Sequence, residues 1–129
     1  MVVDTSAVLA ILLGEPDSEQ FLNALVDADR VRTSAATAVE IGIVAIMRAG
    51  VQAEIKVDQL FARCGIEIVP VSQDQANLAR SAFRTFGKGR HPARLNFGDC
   101  FSYALSKTVN EPLLYKGEDF RKTDLRSVL

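Results

Sequence analysis

Residues 1–14, Met-Val-Val-Asp-Thr-Ser-Ala-Val-Leu-Ala-Ile-Leu-Leu-Gly, join a short apolar run, three polar residues and a second apolar run. The polar residues Asp4, Thr5 and Ser6 are of the types that cap the N-terminus of a helix. This stretch predicts a buried β-strand, a tight turn and a buried helix that ends at Gly14.

The same order of short apolar strands and longer helices continues along the chain. Further strands are predicted at 31–33, 66–69 and 112–115, and helices at 17–26, 34–47, 51–63, 72–86 and 98–107, with a helical turn from 118. This alternation predicts parallel strands joined by crossovers, in a three-layer α/β/α domain with a central, mostly parallel sheet. Ligands bind such sheets beyond the carboxyl ends of the strands.

Composition predicts one soluble, globular domain over residues 1–129. The chain is 48% hydrophobic and 24% charged, which excludes a disordered polymer and supplies enough apolar surface for a core. No apolar run approaches the ~20 residues that span a bilayer, and no secretory signal is visible, so a cytoplasmic protein without membrane contact is expected. The net charge of −1 indicates no class of partner.

Cysteine and histidine usage restricts the kinds of metal site. Cys64 and Cys100 are far apart in the sequence and lack a C-x-x-C spacing, so two free thiols are expected. His91 is the single histidine, so a zinc site of the His/Cys type would lack ligands. A metal bound by this chain would need oxygen ligands.

Isolated carboxylates are the most informative feature, although each also has a simple structural explanation. Asp4 and Asp99 precede or open helices and could serve only as caps. Glu40 lies in a helix that is apolar on all sides, which predicts burial, where it would need an arginine, a metal or a substrate. Asp119 follows Glu118 on a loop and could be solvated surface.

These acids all lie near predicted strand ends or on a buried helix, so a parallel sheet would bring them to one edge. Clustered carboxylates repel one another and persist when cations lie between them. Their oxygen atoms suit Mg²⁺ or Mn²⁺, and such a site can hydrolyse a phosphodiester.

A basic segment follows, because no acid occurs between Asp74 and Asp99. The cationic residues in this interval are Arg80, Arg84, Lys88, Arg90 and Arg94, beside His91 in a flexible loop at 87–92. Contact with RNA or a partner is favoured over a merely solvated face. The nearby aromatic residues Phe97, Phe101 and Tyr103 have helical spacing and are predicted to be core.

The ordered set of these motifs resembles the PIN-domain nucleases, and in particular the VapC toxins of bacterial toxin–antitoxin pairs. The resemblance is carried by residues 2–7 (VVDTSA), 38–41 (AVEI), 96–104 (NFGDCFSYA) and 113–120 (LLYKGEDF), and by the basic stretch 86–91 (FGKGRH). It covers essentially the whole chain, and its specificity comes from the order and spacing rather than from any one motif.

The resemblance implies a metal-dependent endoribonuclease that acts on tRNA or ribosomal RNA and is silenced by a VapB antitoxin. Asp4, Glu40 and Asp99 would ligate Mg²⁺ or Mn²⁺, and Asp119 would complete the site. Thr5 and Ser6 would supply supporting hydroxyls. A homodimer is also expected.

One departure from the family leaves the fourth acid open. Many relatives carry a further acid two residues before Asp119, where this chain has Gly117. Either Glu118 or Asp119 could fill the role, and we favour Asp119.

Three other functions share parts of this pattern. A receiver-like phospho-acceptor domain also has an acidic, Mg²⁺-binding edge and a late lysine such as Lys116, but no acid pair follows the first strand here. A nucleotide-binding module is disfavoured because the glycines at 87–89 follow a helix and lack the P-loop spacing. An inactive PIN-like binding domain is disfavoured because Asp4, Glu40 and Asp99 are all present.

Overall fold

A parallel four-stranded sheet forms the centre of the protein, which we describe from a computed structural model that covers residues 1–129. The strands are β1 (Val2–Val3), β2 (Val31–Ser34), β3 (Ile66–Val69) and β4 (Leu113–Leu114). Their order across the sheet is β3-β2-β1-β4, with every neighbouring pair parallel. The predicted three-layer α/β/α fold is therefore confirmed.

Six α-helices and one short 3₁₀-helix surround this sheet. They are α1 (Thr5–Leu12), α2 (Ser18–Val26), α3 (Ala35–Ala49), α4 (Ala53–Cys64), α5 (Gln73–Phe86), α6 (Phe97–Val109) and the 3₁₀-helix Phe120–Lys122. None of these helices is long and apolar enough to cross a membrane.

Two apolar clusters pack against opposite faces of the sheet. Val3 joins the cluster built with α1 to α4, whereas its neighbour Val2 joins the cluster built with α5 and α6. This division follows from the pleat of the strand, in which successive side chains point to opposite faces. Both thiols are free, as predicted, with Cys64 partly buried and Cys100 buried.

The prediction that α3 is buried on all sides is wrong. Ile41 and Ala45 are buried, but Val39 is 61%, Ile43 52% and Met47 80% exposed. Only one face of α3 packs on the sheet, and no other element of the chain covers the opposite face. Sequence pattern alone could not distinguish a helix covered on both faces from one that leaves an apolar face open.

The aromatic residues of α6 also divide differently from the prediction. Tyr103 is buried and Phe101 is partly buried, but Phe97 is 80% exposed, so its assignment to the core is wrong. Phe97 is the first residue of α6, ahead of the turns that pack under the sheet.

The loop at 87–92 is held closed at its base. The Lys88 N–H donates to the carbonyl of Leu95 at 2.9 Å, and the Leu95 N–H donates to the carbonyl of Phe86 at 3.0 Å. These two hydrogen bonds form a parallel bridge between Gly87 and Leu95, so the basic residues of the loop are presented from an anchored base rather than from a free segment.

Candidate active site

An acidic cleft lies at the carboxyl end of the sheet, where the sequence predicted a site. Asp4, Glu40 and Asp99 line it, together with Thr5, Ser6, Asn96, Arg48 and Lys116. The parallel strands bring these residues together from β1, α1, α3, α6 and the segment after β4.

Asp4 is the most buried acid of the cleft, at 3% exposure. It is the N-cap of α1, and its carboxylate accepts hydrogen bonds from the Ser6 N–H at 3.0 Å and the Ser6 hydroxyl at 2.7 Å. The Ser102 hydroxyl on α6 donates to the other oxygen at 2.6 Å. Asp4 thus caps a helix, as one interpretation predicted, and also faces the cleft.

Glu40 projects from the second turn of α3 toward the start of α1. Its carboxylate accepts a short hydrogen bond from the Thr5 hydroxyl. Burial raises the pKa of Glu40; the Thr5 hydrogen bond opposes this rise, and the nearby charge of Asp4 adds to it. This carboxylate has no arginine partner, so the alternative of a buried ion pair is not realised.

Gly98, at the start of α6, leaves the space that the Glu40 carboxylate occupies. A Cβ at residue 98 would overlap the carboxylate of Glu40, at a distance that real atoms do not reach. The absence of a side chain at residue 98 therefore permits Glu40 and Asp99, which come from different helices, to share one cleft.

Asp99 is held in place by a capping box at the N-terminus of α6. The Asn96 N–H donates to the Asp99 carboxylate and the Asp99 N–H donates to the Asn96 side chain, both at 2.9 Å. Burial, opposed in part by the Asn96 N–H and reinforced by the charges of Asp4, Asp119 and Glu40, raises the pKa of Asp99 to about 7. The four predicted acids are therefore close enough to interact electrostatically.

Asp119 and Glu118 lie outside the wall of the cleft, and both are exposed. Glu118 forms an ion pair with Arg121 at 3.3 Å, whereas Asp119 contributes to the negative potential at Asp99. The electrostatics favour Asp119 over Glu118 as the fourth acid, and its role remains a prediction.

The donor set fits a divalent cation that retains water ligands. No group of three His, Cys, Asp or Glu side chains is arranged to hold an ion by itself. Mg²⁺ commonly uses one or two carboxylates and completes its octahedron with water and substrate oxygens. The unneutralised acids Asp4, Glu40 and Asp99 supply such carboxylates and would gain from a positive charge between them.

Two basic residues of the cleft were missed from the sequence. Arg48 lies two turns beyond Glu40 on α3, and this i, i+4, i+8 spacing through Val44 could have revealed it. The sequence pattern around Lys116 indicated only the receiver-like alternative and no place in this cleft. The Lys116 N–H donates to the Ser6 hydroxyl at 3.0 Å, and its ammonium pairs with Asp17 at 2.8 Å and with Glu15.

The predicted RNA-contacting cations do not enter the acidic cleft. Arg80, Arg84 and Arg90 line a neighbouring groove between α5 and α6, and Lys88 and Arg94 are exposed around the 87–95 loop. The structure therefore separates the acids and this basic surface by the first turn of α6.

Comparison with known proteins gives a consistent result over the whole chain. The PIN-domain family model matches residues 1–125. The chain is 49% identical to the VapC ribonuclease Mb0640 of Mycobacterium bovis, across 99% of this chain and 98% of that protein. It is 50% identical to a ribonuclease VapC of Mycolicibacterium smegmatis, across 99% of both proteins.

Solved structures show the same fold at low sequence identity. The crystal structure of Mycobacterium tuberculosis VapC20, a sarcin–ricin loop cleaving toxin, superposes with a TM-score of 0.80 at 19% identity, covering 98% of this chain and 97% of that one. VapBC-1 from nontypeable Haemophilus influenzae superposes with a TM-score of 0.70 at 18% identity, covering 98% and 94%.

We expect Asp99→Asn to change how stability depends on pH. The pKa of Asp99 is raised in the folded state from 3.8 to about 7, so the folded protein binds this proton more tightly than the unfolded chain does. In EDTA, the Asp99 carboxyl therefore makes the free energy of unfolding fall as pH rises from 3.8 to about 7. Asp99→Asn should flatten the fall in Tm and leave the protein at least as stable at neutral pH, since asparagine keeps an acceptor for the Asn96 N–H.

The exposed Asp58→Asn on α4 is the matched control and should leave the pH profile unchanged. If Tm depends on pH in the same way for Asp99→Asn and for the unaltered protein, the pKa of Asp99 is not raised in the folded state.

We expect Gly98→Ala to destabilise the protein by at most ~1 kcal/mol, less than the usual ~1–3 kcal/mol cost of overpacking, because the atoms its Cβ would meet are the end of the flexible Glu40 side chain, which can move aside. Urea denaturation would measure this loss, which should shrink in a Glu40→Ala background because the colliding carboxylate is then absent. Gly42→Ala on α3 is the control: its Cβ would meet the Glu54 carboxylate at an ordinary 3.7 Å, so it should be neutral or stabilising. Equal losses from Gly98→Ala in both backgrounds would contradict the role given to Gly98.

Proposed function

The chain belongs to the PIN-domain family and is similar to VapC ribonucleases along its whole length, and from this premise we propose that it is a metal-dependent endoribonuclease toxin. The observation that supports this function best is the cleft in which Asp4, Glu40 and Asp99 converge although none of the three forms an ion pair. Carboxylates that repel one another weaken a fold, so their grouping is expected where chemistry requires it.

Asp4 and Asp99 are the residues we propose to hold Mg²⁺ or Mn²⁺, with Glu40 and Asp119 completing the acidic set. When bound, the ion would lower the pKa of a water molecule and stabilise negative charge on the leaving oxygen. The hydrogen bonds from Ser6 and Ser102 fix the Asp4 carboxylate, and the capping box fixes that of Asp99.

Glu40 is proposed to orient and deprotonate the attacking water. Burial raises the pKa of its carboxyl, which makes Glu40 a better proton acceptor than an ordinary surface glutamate. The water oxygen bonds to phosphorus in line while Glu40 takes the water proton. The bond from phosphorus to the 3′ oxygen breaks and that oxygen takes a proton from solvent, so the products carry a 5′-phosphate and a 3′-hydroxyl. Thr5 positions Glu40 through its hydrogen bond, and Ser6 positions both Asp4 and the segment that carries Lys116.

The basic residues of α5 and the 87–95 loop are proposed to bind the RNA backbone. Arg80, Arg84, Lys88, Arg90 and Arg94 are all exposed, and none of them forms an ion pair within the chain. Phosphate contacts of this kind give affinity that depends on salt but carries little sequence information.

A VapB-like antitoxin is the proposed protein partner. Structures with the same fold include VapBC2 from Rickettsia felis, VapBC-1 from Haemophilus influenzae and a toxin–antitoxin complex from Klebsiella pneumoniae. We also propose a homodimer. The open apolar face of α3 supports this assembly because Val39, Ile43 and Met47 would be removed from water there.

The alternatives are less well supported. The match to the PIN-domain family over residues 1–125 leaves no support for a receiver-like domain. An inactive binding domain would have no need of three uncompensated acids in one cleft.

We expect the purified protein to cut cellular RNA into discrete fragments with 5′-phosphate ends in Mg²⁺ or Mn²⁺, and to be inactive in EDTA. Asp4→Asn or Asp99→Asn should lower the cleavage rate by at least ~100-fold, since loss of even an outer-shell partner costs 10–100-fold. Sequencing of the fragment ends would measure both the products and the sites.

Asp58→Asn, at an exposed residue of α4 that does not line the cleft, should cut RNA at the unaltered rate. Mass spectrometry must show that no antitoxin has co-purified. Absence of cleavage from antitoxin-free protein, or metal-independent cleavage, would overturn the proposed function.

We expect the double charge reversal Arg84→Glu with Arg90→Glu to weaken RNA binding and to reduce its dependence on salt. Loss of two phosphate contacts should decrease the steepness of log K against log salt by about 1.4 for a single strand. Fluorescence anisotropy over a salt series would measure this slope. Arg63→Glu, an exposed cation on α4, is the control, and an equal slope for all three proteins would remove Arg84 and Arg90 from the RNA path.

A further inference from the structure

A second depression, which we call the α5–α6 groove, lies between the N-terminal turns of α6 and the exposed side of α5. Its volume is about 620 Å³, larger than the acidic cleft at about 360 Å³. Ala76, Ala79 and Cys100 form its apolar floor.

Aromatic rings form the walls of this groove. Phe97 is 80% exposed and Phe83 is 41% exposed, which leaves large apolar surfaces in water. Phe97 and Phe101 pack edge to face, with ring centroids 5.0 Å apart and an angle of 78° between their planes. Because Phe97 is so exposed, most of its ring remains open to a ligand.

Cations surround the aromatic walls. Arg80, Arg84 and Arg90 line the groove, and none of them has a carboxylate partner. The Arg90 side chain instead donates to the carbonyl of Arg84 at 3.3 Å, which holds two of the three together. An occupant with both negative charge and flat apolar surfaces would match this lining.

The groove and the acidic cleft lie on either side of one helical turn. Asn96 and Asp99 line the cleft, whereas Phe97, Cys100 and Phe101 line the groove. Since Asp99 and Cys100 are chain neighbours, their Cα atoms are ~3.8 Å apart. A strand with its phosphate at the acids could therefore place an adjoining nucleotide in the groove.

We propose that the α5–α6 groove is a nucleobase-binding subsite, in which an unpaired base next to the cleaved bond stacks on Phe97 while Arg80, Arg84 and Arg90 contact the flanking phosphates. This inference rests on the proposed nuclease function and deepens it, because a base inserted in this groove must be free of its complement. The substrate is accordingly RNA that is single-stranded beside the cleavage site. Aromatic stacking tolerates every base, and arginine adds its own stacking and charge.

A second copy of the chain fits the groove less well. In a two-fold symmetric dimer formed through this groove, its three unpaired arginines would face the same three arginines of the other copy. In any other arrangement of two copies, the groove would have to meet an acidic surface elsewhere on the second copy. The open apolar face of α3 has no such charge and suits a second copy better.

Substitutions at Phe97 separate stacking from general apolar contact. Phe97→Leu keeps an apolar side chain but removes the ring, whereas Phe97→Tyr keeps the ring. Binding would be measured by fluorescence anisotropy in EDTA, with one RNA of mixed sequence either single-stranded or annealed to its complement. We expect Phe97→Leu to weaken binding of the single strand by about 5- to 150-fold, the range for one stacked base.

Three further comparisons test whether the ring of Phe97 stacks on an unpaired base. Phe97→Tyr should bind like the unaltered protein, and the duplex should show little difference among the variants. A 2-aminopurine in the single strand should lose fluorescence on binding to the unaltered protein and regain it with Phe97→Leu. Val26→Ala, a 66% exposed apolar residue on α2, is the control and should change none of these values.

Three results would overturn the subsite. If Phe97→Leu binds single-stranded RNA as tightly as the unaltered protein does, the proposed subsite is wrong. The nuclease function still stands in that case, provided that the unaltered protein cuts RNA. If Phe97→Leu lowers the mass found by light scattering without altering RNA affinity, the groove is an interface between copies. If the unaltered protein neither binds nor cuts RNA, the proposed function fails and this inference fails with it.

Discussion

The buried carboxylate of Asp4 is the constraint on which the geometry of the site depends. A carboxylate at 3% exposure costs several kcal/mol unless donors or a cation meet it. Ser6 supplies two donors from α1 and Ser102 supplies one from α6, and the Ser102 hydroxyl lies 3.2 Å from that of Thr37 on α3. One charged group thereby connects β1 to three helices and fixes the elements that carry Glu40 and Asp99.

The same cleft contains an electrostatic conflict that the fold only partly relieves. Helix caps stabilise Asp4 and Asp99, and a hydroxyl meets Glu40, but burial and the charge of Asp4 still raise the pKa of both Glu40 and Asp99. Lys116 cannot neutralise them because its ammonium is paired with Glu15 and Asp17. Such a balance is expected of a site that sacrifices some stability in order to attract a cation and a phosphate.

The first turn of α6 organises the surface around this conflict. Its residues alternate between two neighbouring depressions, so that acids meet the proposed scissile bond on one side and aromatic rings and arginines lie on the other. Gly98 lies within this turn, where a larger residue would displace Glu40. A few consecutive residues thus combine a capping function, a close packing contact and two chemically different surfaces.

The sequence alone determined the strand–turn–helix order, the parallel α/β/α architecture and the identity of the acids near the strand ends, because apolar periodicity and helix capping are properties of chain neighbours. It also indicated that Asp4 and Asp99 could be caps, and both are parts of caps in the folded protein. It could not place Phe97 or the outer face of α3, since exposure depends on which distant element packs over a residue. Tertiary structure alone decided that Gly98 makes room for Glu40 and that Arg48 lines the cleft. It also decided that Glu118 pairs with Arg121, whereas the charge of Asp119 raises the pKa of Asp99. Each of these outcomes is a contact between residues far apart in the chain or a choice between neighbours, which local pattern does not encode.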